Sequence, residues 1–350
     1  MTINKQPLSR RKLLTAGAAA GAGSMLAAPA AIAQGKITWR MQTHWPTGNW
    51  YYDDVFVKFA NRVSEATGGE LTIEPVQNDG IVPTGEVLNA VRRGLLESAF
   101  IYPSYWMGRI PVAGHLNGNI GTFGSHEEMH MFMYEMGAID VIREAYAEHG
   151  IYQAGPVSYA GLALYSNRPL VTKEDFDGWR VRSTGTAAMV FEKMGASPVS
   201  IPGGELYQAL QTGVVEGAHW GSISTGWGMN FQEVTKYIVQ PDLVSQLNGE
   251  VMVGMKQWEA LGDDLKATFN EIVRATSADA SAHFLHRDLL RKKEFVKELG
   301  GEITTLEPAV VEELRVKSME VVDEFAERDP KYSGRVAELL HEFMRLTGKA

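Results

Sequence analysis

The chain of 350 residues contains no cysteine, which excludes disulfides, thiolate metal sites and cysteine nucleophiles, and fits an oxidising compartment where thiols would have to be managed. Beyond its N-terminal stretch it has no apolar run of the ~20 residues a membrane-spanning helix requires. Neither common phosphate-binding glycine loop is present, because Gly68-Gly69 and Gly203-Gly204 lack the flanking pattern. The Gly-x-Ser-x-Gly elbow of serine hydrolases is missing as well, and Gly221-Ser222-Ile223-Ser224 reads as a flexible loop. Nine histidines form no dense ligand cluster; only His126 and His130 stand at the i, i+4 spacing that zinc can use. No third ligand accompanies them, so a surface helix is the simpler reading and neither a metal nor a cofactor is expected.

The first 33 residues read as a twin-arginine-type signal peptide. Ser9-Arg10-Arg11-Lys12-Leu13-Leu14 precedes an Ala/Gly-rich apolar stretch that ends at Ala31-Ile32-Ala33, a small-x-small cleavage pattern. Its removal leaves a soluble, exported chain with the periplasm as destination. The signal carries four of the 33 basic residues and none of the 42 acidic ones, so the mature charge is 29 against 42, a formal −13. Such a surface repels nucleic acid and anionic lipid. An anionic ligand would need a local cation to overcome it.

The mature chain exceeds the usual size of one domain, so two lobes are expected. Strands at 37–41, 71–76 and 98–102 alternate with helices at 52–67 and 85–94, a parallel α/β pattern. A helical stretch over 126–150, broken near Gly137, leads to a second series of strands at 153–157, 162–166, 181–183, 197–200 and 215–220, with helices at 187–194 and 204–212. Long amphipathic helices are expected at 261–299, 308–327 and 336–347. The fold class is therefore α/β, a two-lobed binding protein fold with a ligand cleft between the lobes and long C-terminal helices. Lobe I is expected to comprise 36–155 plus 248–290. Lobe II comprises 156–247 plus 291–350, including the C-terminal helices.

Aromatic and amide side chains crowd the expected loops: Gln42, His44, Trp45, Trp50, Tyr51, Tyr105, Trp106, Trp220 and Trp227. Rings with polar tips are how pockets hold and orient small ligands, although such residues also pack lobes together. An enzyme would need an acid/base pair in the cleft. His219 with Glu216 is the nearest candidate, and strand alternation sets the two on opposite faces. A periplasmic α/β enzyme acting on a small carboxylate is the alternative to a non-enzymatic receptor.

Several segments resemble the periplasmic solute-binding proteins of TRAP transporters, the DctP family, over nearly all of the mature chain. Gly178-Trp179-Arg180-Val181-Arg182 is similar to the family's Gly-x-Lys-x-Arg strand and follows Arg168-Pro169-Leu170 and Asp175-Phe176. Gly195-Ala196-Ser197-Pro198-Val199 and ELYQALQTGVVEG over 205–217 match the elements after it. Gln42-Thr43-His44-Trp45, the 105–112 segment and Gly155-Pro156-Val157 resemble the branch that binds 2-oxo acids such as pyruvate. The resemblance implies a receptor that captures a small organic acid, a 2-oxo or 2-hydroxy monocarboxylate or a related carboxylate, and passes it to a membrane permease. It also implies a cation beside the carboxylate and dimers formed through C-terminal helices.

Carried over onto this sequence, Arg182 becomes the carboxylate clamp, since a guanidinium fork matches a carboxylate with two parallel charge-assisted hydrogen bonds. Arg180, two residues away on the same strand, is the second choice. Ligand contacts are expected from Gln42, His44, Trp45, Tyr105, Ser158, Tyr159, His219 and Trp220. Two positions depart from the 2-oxo-acid branch: His219 replaces an acid before Trp220, and Ser158 replaces a glutamine after Gly-Pro-Val. Losing an acid and an amide removes the hard oxygen ligands that sodium or calcium prefers, so a metal-independent site is expected. His219, as a cation below pH ~6.5, would favour an anion.

Overall fold

The computed structural model describes residues 35–116, 119–159, 161–201 and 203–349. The expected signal peptide lies outside them. Everything below concerns the compact unit Lys36–Ala350.

The strands are β1 Ile37–Thr43, β2 Leu71–Val76, β3 Ser98–Ile101, β4 Ile151–Ser158, β5 Leu162–Ser166, β6 Arg180–Arg182, β7 Ser197–Val199, β8 Gly217–His219, β9 Tyr237–Val244, β10 Asn248–Gly254 and β11 Glu302–Thr305. The helices are α1 Lys58–Ala66, α2 Val87–Arg93, α3 Ala113–Leu116, α4 His126–His130, α5 Ala138–Ala147, α6 Gly185–Lys193, α7 Leu206–Gln211, α8 Ile223–Trp227, α9 Met255–Glu259, α10 Asp263–Lys297, α11 Pro308–Arg328 and α12 Ser333–Leu346. A π-helical turn, Tyr52–Val57, leads into α1, and a 3-10 turn, Pro103–Trp106, follows β3.

Two sheets form, ordered β2-β1-β3-β10-β4 and β11-β9-β5-β8-β6-β7. Both are mixed rather than parallel. β10 runs antiparallel between β3 and β4, and β5 runs antiparallel to β8 and β9. The expected parallel pattern holds for β1, β2 and β3, and for β6, β7 and β8; it is interrupted by β10 in the first sheet and by β5 in the second, where β9 and β10 return the chain from one sheet to the other. The chain crosses between the sheets from β4 to β5 and again from β9 to β10. The Tyr159 N–H donates to the Leu247 carbonyl at 2.7 Å, tying the two crossings together.

Helix α10 is the third link. Its 35 residues extend about 52 Å at 1.5 Å per residue. Phe269, Val273, Ala280 and Phe284 recur at intervals of four and seven residues, one face of the helix, and are all buried. Near its middle, Ser277 Oγ accepts from the Ser158 N–H at 3.1 Å, which fastens the helix to β4. Farther along, Asp288 accepts from the Ser224 N–H at 2.7 Å and Lys292 donates to Gln240 at 2.9 Å, fastening it to the second sheet's side. Trp50 lies against Phe284 and His283 of α10, and Trp227 lies under Arg291 and beside Phe295. Both tryptophans thus serve helix packing.

The C-terminal helices divide. α11 packs on α6, where Lys193 pairs with Glu320 and Glu324 at 3.3 and 2.9 Å. α12 packs on α11 and also on α5, and its Val336, Ala337, Leu340, Phe343 and Met344 join the core around α5 and β10. Amphipathic periodicity marks an apolar face without saying which elements cover it. Among the described residues no helix is long and apolar enough to cross a membrane.

Candidate functional site: an arginine facing an aromatic cage

Arg182 closes β6, whose register sets it beside Ala218 of β8 and Val199 of β7. Its guanidinium is anchored by main chain alone. Nε donates to the Ile201 carbonyl at 3.0 Å and Nη1 to the His219 carbonyl at 3.2 Å. Among the described residues no carboxylate pairs with it. Burial depresses its pKa, and the neighbouring Tyr102 and Tyr105 phenols partly offset this. A buried cation of this kind is costly until an anion reaches it.

Tyr102 and Tyr105 come from the other sheet. Pro103, in the 3-10 turn after β3, sets a tight bend that displays both phenols, and their rings lie edge-on at 6.1 Å. His44, just beyond β1, sits 5.9 Å from Tyr105, 5.7 Å from Tyr159 and 4.6 Å from Trp45. Trp45 in turn meets Trp220 of the second lobe at 6.5 Å. Arg182, His44 and Tyr105 are closely surrounded by protein yet keep accessible surface, 48 % for Tyr105, as residues lining a concave cleft do.

Two glycines make room for the cage. A Cβ on Gly249 would lie 2.0 Å from the Tyr159 ring, so the tyrosine of the first crossing is seated against bare backbone at the start of β10. A Cβ on Gly203 would lie 3.2 Å from the Trp220 indole nitrogen. The cage also holds buried polar atoms without hydrogen-bond partners, among them His44 Nδ1 and His219 Nε2. The Trp45 indole N–H approaches the Tyr159 hydroxyl and eases the upward shift that burial gives that phenol, but no hydrogen bond of good geometry joins them. Such unsatisfied groups at a cleft are met by a ligand or by water.

Four of the expected contacts need revision. Gln42 is consumed by the chain: its amide nitrogen donates to the Val82 carbonyl at 2.7 Å, and its oxygen accepts from the Ile81 and Val82 N–H groups at 3.1 and 3.2 Å. It holds a loop. Ser158 is fully buried, its hydroxyl bonded to Gln246 at 3.3 Å and its carbonyl accepting from Tyr51 at 3.1 Å, so it serves the crossing. Arg180 is exposed and paired with Glu216 at 3.6 Å, which also occupies the acid of the supposed catalytic pair. His219 is buried against Phe191 at 5.3 Å, and burial together with the Arg182 charge lowers its pKa to about 3. It is a neutral imidazole, and its expected role as a cation is withdrawn. Burial lowers His44 to about 3 as well.

Sequence reading missed Tyr102. The available signal was its place at the end of β3, one residue before a proline, where strand ends of an α/β lobe meet the cleft. A separate cavity of about 210 Å³ lies away from this cleft, between α1 and α10, rimmed by the pairs Asp54–Lys58 and Arg62–Asp279.

A family description, bacterial extracellular solute-binding protein family 7 (DctP), matches residues 41–329. The chain belongs to the DctP family of TRAP solute-binding proteins. A monocarboxylate 2-oxoacid-binding periplasmic protein of Nostoc sp. is 23% identical over 305 residues, covering 85% of this chain and 81% of its own. A TRAP periplasmic solute-binding protein of Rhodobacter sphaeroides, solved in an apo open state, superposes with a TM-score of 0.75 at 26% identity, covering 89% of this chain and 99% of its own. Another, from Colwellia psychrerythraea and solved with calcium and pyruvate, has a TM-score of 0.81 at 21% identity over 89% of this chain and 95% of its own. This DctP chain is thus a solute-binding receptor with the two-lobed fold, and the enzyme alternative has no support.

Proposed function

We propose that this receptor captures a small carboxylate in the periplasm, with Arg182 as the clamp, and delivers it to the membrane permease of a TRAP transporter. The observation that carries the reading is a buried guanidinium oriented by two carbonyls, facing the opposite lobe, with no acid of its own. Its third nitrogen, Nη2, remains to meet a carboxylate, and its anchored fork loses little entropy on binding. Lobe I is taken as the first sheet with α12, and lobe II as the second sheet with α11. The lobes hinge where β4 passes to β5 and β9 passes to β10. A ligand held by Arg182 on one side and by Tyr102, Tyr105 and His44 on the other favours the closed state, because only there does it touch both.

Thermal shift of the mature protein against a panel of small carboxylates tests this. Binding to the folded state raises stability by RT ln(1 + [L]/Kd). A hit that disappears in Arg182→Ala is the expected result. Shifts with sugars or amines and none with any acid would reject the clamp.

A homodimer is proposed on α10, where Leu285, Leu289 and Leu290 are 63, 57 and 54% exposed along one stretch of helix. Light scattering of the mature protein should give twice the monomer mass. A monomer that persists at high concentration rejects it.

A further inference from the structure

Some structural relatives of this fold were solved with calcium or sodium bound together with pyruvate, so the fit of such an ion to this cleft can be judged from its donors. Calcium and sodium take several hard oxygen ligands, mostly carboxylate and carbonyl. Among the described residues the acids whose charges act on the cage tyrosines are Asp79, on Tyr105, and Glu250, on Tyr159. Asp79 is turned away, accepting from the Thr84 N–H and hydroxyl at 2.8 and 3.0 Å. Glu250 is fully buried behind Tyr159 and receives the Gln153 amide at 3.4 Å. Among the described residues, no three His, Asp or Glu side chains converge on a point that could hold a metal. The side chains that do face Arg182 are phenols, an indole and neutral imidazoles. These donors do not fit a hard cation.

We infer that this receptor binds its acid without a metal ion, and that the acid is a monocarboxylate carrying a ring-sized apolar body. The inference rests on the carboxylate reading above and extends it to the rest of the ligand. Arg182 supplies one positive charge and the cleft supplies no second, so a further carboxylate would be buried unpaired at a cost of several kcal/mol. An ammonium group would find no carboxylate partner and would lie in the field of the same guanidinium. What remains is the aromatic wall, whose tilted and edge-on rings favour a flat apolar group.

Titration calorimetry of the mature protein with phenylpyruvate, pyruvate and succinate tests the inference, first in sodium-free buffer with chelator, then with sodium or calcium added. Phenylpyruvate should bind at least about tenfold more tightly than pyruvate or succinate, with affinities that change by less than about twofold on adding either ion. Tyr105→Ala, which truncates a half-exposed ring and leaves the core intact, should weaken phenylpyruvate binding more than pyruvate binding and so reduce that preference several-fold. Affinity that needs sodium or calcium would overturn the inference and leave the carboxylate receptor standing. A preference for pyruvate or succinate, or one untouched by Tyr105→Ala, would overturn the apolar-body claim. Failure of every acid in both buffers would reject the underlying reading instead.

Discussion

Replacing Glu250 by glutamine should change how stability depends on pH while leaving the fold intact. Glu250 lies mid-way along β10, opposite Ile101 of β3 and Pro156 of β4, with none of its surface exposed. Burial raises its carboxyl from 4.5 to about 8, an effect only partly eased by the Tyr146, Gln153 and Trp106 donors, and its Oε1 has no hydrogen-bond partner of good geometry. Between pH 4.5 and 8 the unfolded chain has released this proton and the folded one retains it. The unfolded state therefore binds fewer protons, and stability falls as pH rises, by about 1.4 kcal/mol per pH unit. Across the window the loss is on the order of 5 kcal/mol, comparable with the ~5–15 kcal/mol that holds a whole domain together. Glutamine keeps the shape and the acceptor but cannot ionise. Urea denaturation of both proteins at a series of pH values isolates the effect, because every other titrating group is common to the two. Wild type and Glu250→Gln should lie close together near pH 4.5, and the variant should be the more stable by several kcal/mol near pH 8. Curves that stay parallel throughout would mean that Glu250 is already ionised in the folded protein, and the account of burial would be wrong.

The buried imidazoles act at the other end of the scale. His219 is lowered to about 3 and His115 to about 4, so below pH 6.5 the unfolded chain takes up protons that the fold refuses, and stability drops with acid. NMR should find the His219 ring signals flat from neutral pH to about pH 5, and a midpoint near 6.5 would refute its burial. Gly249→Ala pushes a methyl to within 2.0 Å of the Tyr159 ring, so the ring must swing toward the cleft. A stability cost of about 1–3 kcal/mol with at least about tenfold weaker carboxylate binding is expected, and unchanged affinity would remove Tyr159 from the cage. Gln42→Leu leaves the Ile81 and Val82 N–H groups without acceptors, at about 2–3 kcal/mol of stability, while ligand affinity holds within about threefold. A collapse of affinity in calorimetry would return Gln42 to the ligand.

The periodic parts of the chain were legible because one residue's neighbours decide them. The apolar spacing of α10 and α11 and the strand–helix alternation of 37–101 follow from period alone. β10 was not legible, because Glu250 interrupts its apolar run and its partners Ile101 and Pro156 lie far away in sequence. At the site, Arg182 could be named but its isolation could not, since that depends on which acids fold near it. Gln42, Ser158 and Arg180 carry the right chemistry for ligand contact, yet each was claimed by a partner distant in sequence: Val82, Gln246 and Glu216. His219 was misjudged for the same reason, as the burial that keeps it neutral is a property of the tertiary fold.

A formal −13 on the mature chain and a single buried guanidinium in the cleft belong to one design. The surface charge gives an anion no general reason to adhere, so attraction is confined to the point where Arg182 faces the cage. Among the described residues that guanidinium has two carbonyls and the phenols for company and no carboxylate, which leaves its charge uncompensated. On the proposed function, opening the lobes would rehydrate it, and a bound carboxylate would compensate it instead. The same desolvation that makes Arg182 costly in isolation would then make closure conditional on an anion, and the neutrality of His44 and His219 would keep a second positive charge from loosening that condition.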